Sequence, residues 1–163
     1  MSVDDLESLS ESYAAVPTSV PQARNAVAAF AVAAGGTGEQ VERIRLAASE
    51  ALTNVVVHAY VRAHGSDPGR IHVNACVTDE GLWLLIADDG AGLHPRDDSP
   101  GLGMGLALIA HSSQELSVVN RSSGGTEVRM RFPLGAGSDP PEDHRGSDFS
   151  ASLPATSSFS TTR

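Results

Sequence analysis

Two short apolar runs separated by a three-residue turn constrain the fold most. Residues 71–78 read IleHisValAsnAlaCysValThr and alternate apolar with polar, while residues 82–87 read LeuTrpLeuLeuIleAla, with Asp79-Glu80-Gly81 between them. Alternation with period two marks a half-buried strand, and an acidic-glycine turn this short joins only antiparallel neighbours. The chain therefore contains a hairpin where a doubly wound parallel sheet would need a crossover helix.

The segments on either side extend the pattern. Residues 11–16 read as a first strand, and the Thr18 to Pro21 stretch as a helix start, since proline is tolerated in a first turn. A helix to about Gly35 follows, with Val27, Phe30 and Ala31 at helical spacing and Gly35-Gly36 ending it. Thr37-Gly38-Glu39-Gln40 matches a capping box and predicts a second helix to about Tyr60. On that helix Val41, Ile44, Ala48, Leu52, Val55 and Val56 share one wide apolar sector. A third, apolar helix is expected over about residues 103–110, then strands near 115–120 and 126–132. The order βα, α, ββ, α, ββ predicts an α+β two-layer sandwich in which helices cover one face of a mixed, mostly antiparallel sheet.

Residues 11–134 are expected to form the domain, preceded by a flexible N-terminus at 1–10. From Gly135 to Arg163 the chain is rich in Ser, Pro, Gly and Thr with isolated apolar residues, the composition of a disordered tail.

Charge and composition narrow the partners. A formal net charge of -9 and 4% aromatic content argue against nucleic acid, which calls for basic patches and stacking rings. A single cysteine, Cys76, makes neither an intramolecular disulfide nor a zinc cluster. The acidic start of the sequence and an apolar run no longer than Ala26–Ala34 predict neither a secretory signal nor a membrane span, so a cytoplasmic location is expected. All 11 basic residues are arginine. Without lysine, a GxxxxGK[ST] phosphate loop, the ATP-contacting lysine of ordinary protein kinases and a pyridoxal Schiff base are all excluded.

Three groups of residues carry candidate chemistry. Glu50 and Asn54 stand one turn apart, about 40° around the helix, so a carboxylate and an amide oxygen project side by side. Such oxygens suit Mg²⁺, and the carboxylate is placed to accept a proton. His58 continues the line, where a packing role is the ordinary one. Next, Asp88-x-Gly90-x-Gly92 follows an apolar strand, where glycine lets a ligand approach the backbone and a carboxylate can accept from an exocyclic amine. Third, Gly101-x-Gly103-x-Gly105, interleaved with Met104 and Leu106, opens the third helix. Its context is not that of a dinucleotide fingerprint, because ProArgAspAspSerPro and not a strand precedes it. What it offers is the N-terminus of a helix, whose free N–H groups favour a phosphate, with Arg96 as the nearest basic residue in the intervening loop. Taken singly, each group is also an ordinary helix boundary or surface turn.

Taken in order, they resemble the ATPase fold shared by gyrase, the ninety-kilodalton heat-shock chaperone, histidine kinases and MutL, the GHKL superfamily. Glu50-x-x-x-Asn54 resembles its N box, the motifs at Asp88 and Gly101 its two glycine boxes, and Gly125-Thr126 the Gly-Thr before the last strand. SerGluAlaLeuThrAsn and HisAlaTyr (49–54 and 58–60) are similar to the bacterial anti-sigma-factor serine kinases. That resemblance implies ATP with Mg²⁺, a sigma factor and an anti-anti-sigma protein as partners, and a serine kinase activity. It implies that Asn54 holds the metal, Asp88 receives the adenine amine with Thr126 in support, the glycine boxes, with Met104 and Leu106, line the nucleotide, and Glu50 takes the serine proton. Arg24, on the first helix, falls where those kinases carry an arginine that meets protein partners, and the apolar character of that helix would suit a homodimer. The segment 93–100 is shorter than the corresponding lid, and Gly101-Leu102 stands where the kinases commonly carry a basic or small polar residue. A catalytically weak module acting by partner exchange is therefore the alternative. A sensor-kinase catalytic domain fits less well, because about fifty residues before the N box are too few for a dimerising hairpin.

Overall fold

The computed structural model describes residues 8–59, 68–90 and 102–135. Their elements are β1 (Leu9–Ala14), α1 (Ser19–Ala33), α2 (Gly38–Asn54), a π-helical turn (Val55–Ala59), β2 (Arg70–Thr78), β3 (Gly81–Asp88), α3 (Leu102–Ser112), β4 (Glu115–Asn120) and β5 (Thr126–Phe132). Strand β1 opens at Leu9, which packs against the core, two residues before the strand start expected at residue 11. The tail assigned to 135–163 lies outside the described residues apart from Gly135, whose carbonyl accepts from Gln40 Nε2 at 3.1 Å.

The five strands form one sheet in the order β1-β2-β3-β5-β4. All four pairings are antiparallel, so the sheet expected to be mostly antiparallel is antiparallel throughout. The reason is that β5 inserts between β3 and β4: those two run in the same direction across the α3 crossover, but each finds β5 as its neighbour. The hairpin register sets Ile71 opposite Asp88 and Thr78 opposite Gly81, so the alternation read in the sequence becomes two faces. Ile71, Val73, Leu82, Leu84, Ile86, Val128, Met130 and Phe132 bury their side chains beneath the helices.

Helix α2 starts on the capping box: Thr37 Oγ1 accepts from the Gln40 N–H at 3.3 Å and Gln40 Oε1 from the Thr37 N–H at 2.9 Å. Its buried stripe is Val41, Ile44, Ala47, Ala48, Ala51 and Leu52. The alanines let neighbouring helices approach closely, and α1 answers with Ser19, Ala23, Val27 and Ala31 at four-residue spacing. Full burial of Ile44 and Leu52 contributes about 1.5–3 kcal/mol each on the transfer scale, which fixes α2 against the sheet. The helix does not keep α geometry to Tyr60, since Val55–Ala59 widen into a π turn and Tyr60 lies outside the described residues. No helix among the described residues is long and apolar enough to cross a membrane.

Candidate functional site

A pocket opens between the end of α2 and the ends of β3 and β5. Ala51, Asn54, Val55, His58, Ala59, Asp88, Leu106, Val118, Thr126 and Val128 line it. Most of its wall is aliphatic, and Asp88 and Thr126 are buried within it. An apolar slot with one carboxylate inside suits a flat heterocycle bearing a hydrogen-bond donor.

Glycines bring the separate motifs into contact. A Cβ at Gly105 would lie 3.2 Å from Glu50 Oε2 and 3.5 Å from both terminal atoms of Asn54, so the first turns of α3 lie directly over the acid and the amide of α2. At Gly90 a Cβ would sit 2.3 Å from the Ala59 carbonyl oxygen. The π turn therefore abuts the turn after β3, and π turns recur where a helix must reposition its residues for function. Gly125 has φ +84°, and a Cβ there would fall 1.9 Å from the Asp88 carbonyl oxygen. Only glycine satisfies both the backbone angle and the space.

Asp88 is 2% exposed. Its Oδ1 accepts from the Gly90 N–H at 2.8 Å, and the Thr126 N–H supplies a second backbone donor. Burial pushes its carboxyl above the usual carboxylate range, opposed by those two donors and by Arg121, and reinforced by the neighbouring Asp89. Asp89 points the other way, to the open face of the sheet. Hydrogen bonds from His72 (2.6 Å) and Arg121 (2.8 Å) hold its carboxyl below the ordinary range against some desolvation.

Of the residues singled out from the sequence, Glu50, Asn54, Asp88, Gly90, Gly105, Leu106 and Thr126 come together here. Gly103 and Met104 fall in the first turn of α3. Gly92, Gly101 and Arg96, with the short lid 93–100, lie outside the described residues. Arg24 does not line the pocket: its Nη1 donates to Ser49 Oγ at 3.4 Å on the seam of α1 and α2, and its Nε is buried without a protein partner among the described residues. Sequence reasoning missed Arg121, whose Nη1 donates to the Asp88 carbonyl at 2.9 Å. Its signal was slight, an arginine in the turn that leads to Gly125-Thr126. Among the described residues no ion pair engages Glu50, and no group of three or more His, Cys, Asp or Glu side chains is placed to hold a metal.

This arrangement of helix-borne acid and amide, buried aspartate and glycine contacts is matched by kinship. The family described as histidine kinase-like ATPase domain matches residues 13–132, and the chain belongs to it. Membership makes this an ATP-binding domain of the kinase type within the GHKL superfamily. Within that class, the anti-sigma F factor of Shouchella clausii is 32% identical over 124 residues, covering 69% of this chain and 82% of the relative. The anti-sigma F factor of Oceanobacillus iheyensis is 27% identical over 137 residues, covering 77% and 92%. Among solved structures, the RsbU and RsbW domains of Rv1364c from Mycobacterium tuberculosis share the fold, with a TM-score of 0.61 at 21% identity over 78% of this chain and 32% of that larger one.

Proposed function

We propose that this protein is an ATP-binding anti-sigma factor that sequesters a sigma factor and phosphorylates a serine of an anti-anti-sigma protein. The observation that carries the reading is the contact of Gly105 with both Glu50 and Asn54, which sets a carboxylate beside the N-terminal turns of α3, where phosphates bind. The names of the anti-sigma F factor relatives support the choice of partner class.

In this reading Asp88 accepts a hydrogen bond from the adenine amine between the aliphatic walls of Leu106, Val118 and Val128. The backbone of α3 and the glycines before it receive the triphosphate, a task that falls to N–H groups because the chain has no lysine. The site suits Mg²⁺ in the way that ion is usually held, by one or two protein oxygens completed by phosphate and water. Asn54 Oδ1 is the hard ligand for it, and when bound the ion would neutralise phosphate charge. Glu50 takes the proton from the serine hydroxyl as the Ser O–P bond forms and the β–γ P–O bond breaks, with ADP leaving. Its carboxylate is half-buried, and no ion pair engages it among the described residues. Arg24, on α1 and bonded to Ser49 of α2, contributes a partner contact.

The test is incubation with γ-labelled ATP, Mg²⁺ and the candidate anti-anti-sigma proteins of the same genome, followed by phosphoamino-acid analysis. Phosphoserine is expected with the wild-type chain. Glu50→Gln should lower transfer by about 10²–10⁴-fold, the usual contribution of a general base, while ATP binding persists. Transfer to none of the candidates would overturn the kinase reading, and equal transfer by Glu50→Gln would remove Glu50 from it.

A further inference from the structure

Arg121 belongs to none of the four motifs, yet its guanidinium reaches the residue on which nucleotide recognition rests. It sits in the turn between β4 and β5, which the Arg121 N–H to Gly125 carbonyl and Gly124 N–H to Arg121 carbonyl bonds, both 3.0 Å, hold closed. From there Nη1 donates at once to the Asp88 carbonyl at 2.9 Å and to Asp89 Oδ1 at 2.8 Å. The ladder between β3 and β5 has its last paired residues at Ala87 and Glu127, so the guanidinium takes an acceptor just past that end. The same carbonyl presses on Gly125, whose missing Cβ leaves it room.

Asp88 is thus fixed at both ends. Backbone N–H groups of Gly90 and Thr126 hold its carboxylate, and Arg121 holds its carbonyl in the space that Gly125 leaves. Asp89 is tied in turn to His72 Nε2 at 2.6 Å, and His72 Nδ1 to Ser12 Oγ at 2.8 Å. A line of side chains therefore crosses the open face from β1 to the β4–β5 turn and ends on the Asp88 backbone.

We infer that Arg121 is a positioning residue for adenine recognition: by clamping the Asp88 carbonyl and pairing with Asp89 it keeps the Asp88 carboxylate aimed into the pocket. This rests on the reading of Asp88 as the acceptor for the adenine amine. Burial and the adjacent Asp89 raise the Asp88 carboxyl; the Gly90 and Thr126 N–H groups oppose them most, and the Arg121 charge adds to those two donors. The charged and titratable groups around it are Asp89 on its own strand, Arg121 on the turn, Arg70 and His72 on β2, Glu127 on β5 and His58 across the pocket. Glu127 is engaged by Arg129 and His72 by Asp89, while Arg121 donates to the Asp88 backbone itself. A protonated carboxyl at 88 would donate where it must accept.

The experiment compares the affinity of the full chain for ATP and for inosine triphosphate, which carries a carbonyl in place of the amine, as pH is lowered from neutral until binding is lost. The wild type should prefer ATP. Arg121→Gln should weaken ATP binding ~10-fold and shrink the ATP-to-inosine preference by a similar factor, with its acid limb moved to higher pH. Arg121→Lys should recover part of both. A folded Arg121→Gln, judged by its circular dichroism, that keeps the wild-type preference and acid limb overturns the proposal. If Arg121→Gln fails to fold, Asp89→Asn reads the same balance, since removing the second carboxylate should move the acid limb to lower pH, and an unmoved limb overturns the proposal. A wild type that binds ATP without preferring it overturns instead the assignment of Asp88 to adenine, and the proposal with it.

Discussion

Asp88 and Asp89 are chemically identical neighbours whose surroundings separate them. For Asp88 the folded carboxyl lies above the ordinary value of 3.8, chiefly through burial. The folded chain then binds that proton more readily than the unfolded chain, so acidification through the interval between the raised and the ordinary value favours the fold while it removes the acceptor for adenine. Asp89 has the opposite sign. Its carboxyl is held below 3.8, so it contributes stability above the ordinary value that is lost as pH falls through the depressed one. Being half exposed, it contributes modestly. On an acid titration ATP affinity should therefore fall before the far-ultraviolet circular dichroism does, and coincident losses would contradict the separation. Gly125→Ala tests the same corner by geometry. With φ +84° and a Cβ 1.9 Å from the Asp88 carbonyl oxygen, the variant should lose at least ~2 kcal/mol in denaturant unfolding and its ATP binding together. Gly-Thr before a strand was legible as a motif. The reason for the glycine was not, because it lies in a carbonyl thirty-seven positions back in the chain.

At the scale of elements, Gly105 sets helix propensity against function. Alanine in a helix interior is favoured over glycine by about 0.5–1 kcal/mol, yet its methyl would stand 3.2 Å from Glu50 Oε2 and displace that carboxylate. The carboxylate is the far end of a flexible side chain and can yield by a few tenths of an ångström. Gly105→Ala should thus hold or raise the melting temperature while phosphoryl transfer falls ~10-fold or more, as misplacement of a reacting group does. A fall in both would mean that the glycine serves packing alone. Elements with a strong period were legible: the capping box gave the start of α2, and alternation gave the β2–β3 hairpin with its turn. The π turn after Asn54 was not, since Val55, Val56 and Val57 carry no local signal for it and the abutting Ala59 and Gly90 are thirty-one residues apart. Nor was the insertion of β5 between β3 and β4, which depends on the α3 crossover and on which edge receives the last hairpin.

For the whole molecule, the pocket is where its parts meet. The turn that ends α2, the ends of β3 and β5, the face of α3 and the edge strand β4 all contribute lining residues, while α1, β1 and β2 support them from outside. A ligand bound there bridges elements drawn from both halves of the sequence, so it should stabilise the domain as one unit. Binding to the folded chain alone adds RT ln(1 + [L]/Kd), about 2.7 kcal/mol at a hundredfold excess over Kd. For a domain of this size that corresponds to a rise in melting temperature of about 10 °C. The rise should grow with the logarithm of ATP concentration and appear as one cooperative transition. Asp88→Asn keeps the shape of the side chain but replaces part of its acceptor with an amide donor, and should abolish most of the rise for ATP. An ATP-dependent rise undiminished in Asp88→Asn would place the nucleotide elsewhere on the molecule. A split transition, with only one part of the chain stabilised, would mean that the pocket does not join the elements that line it.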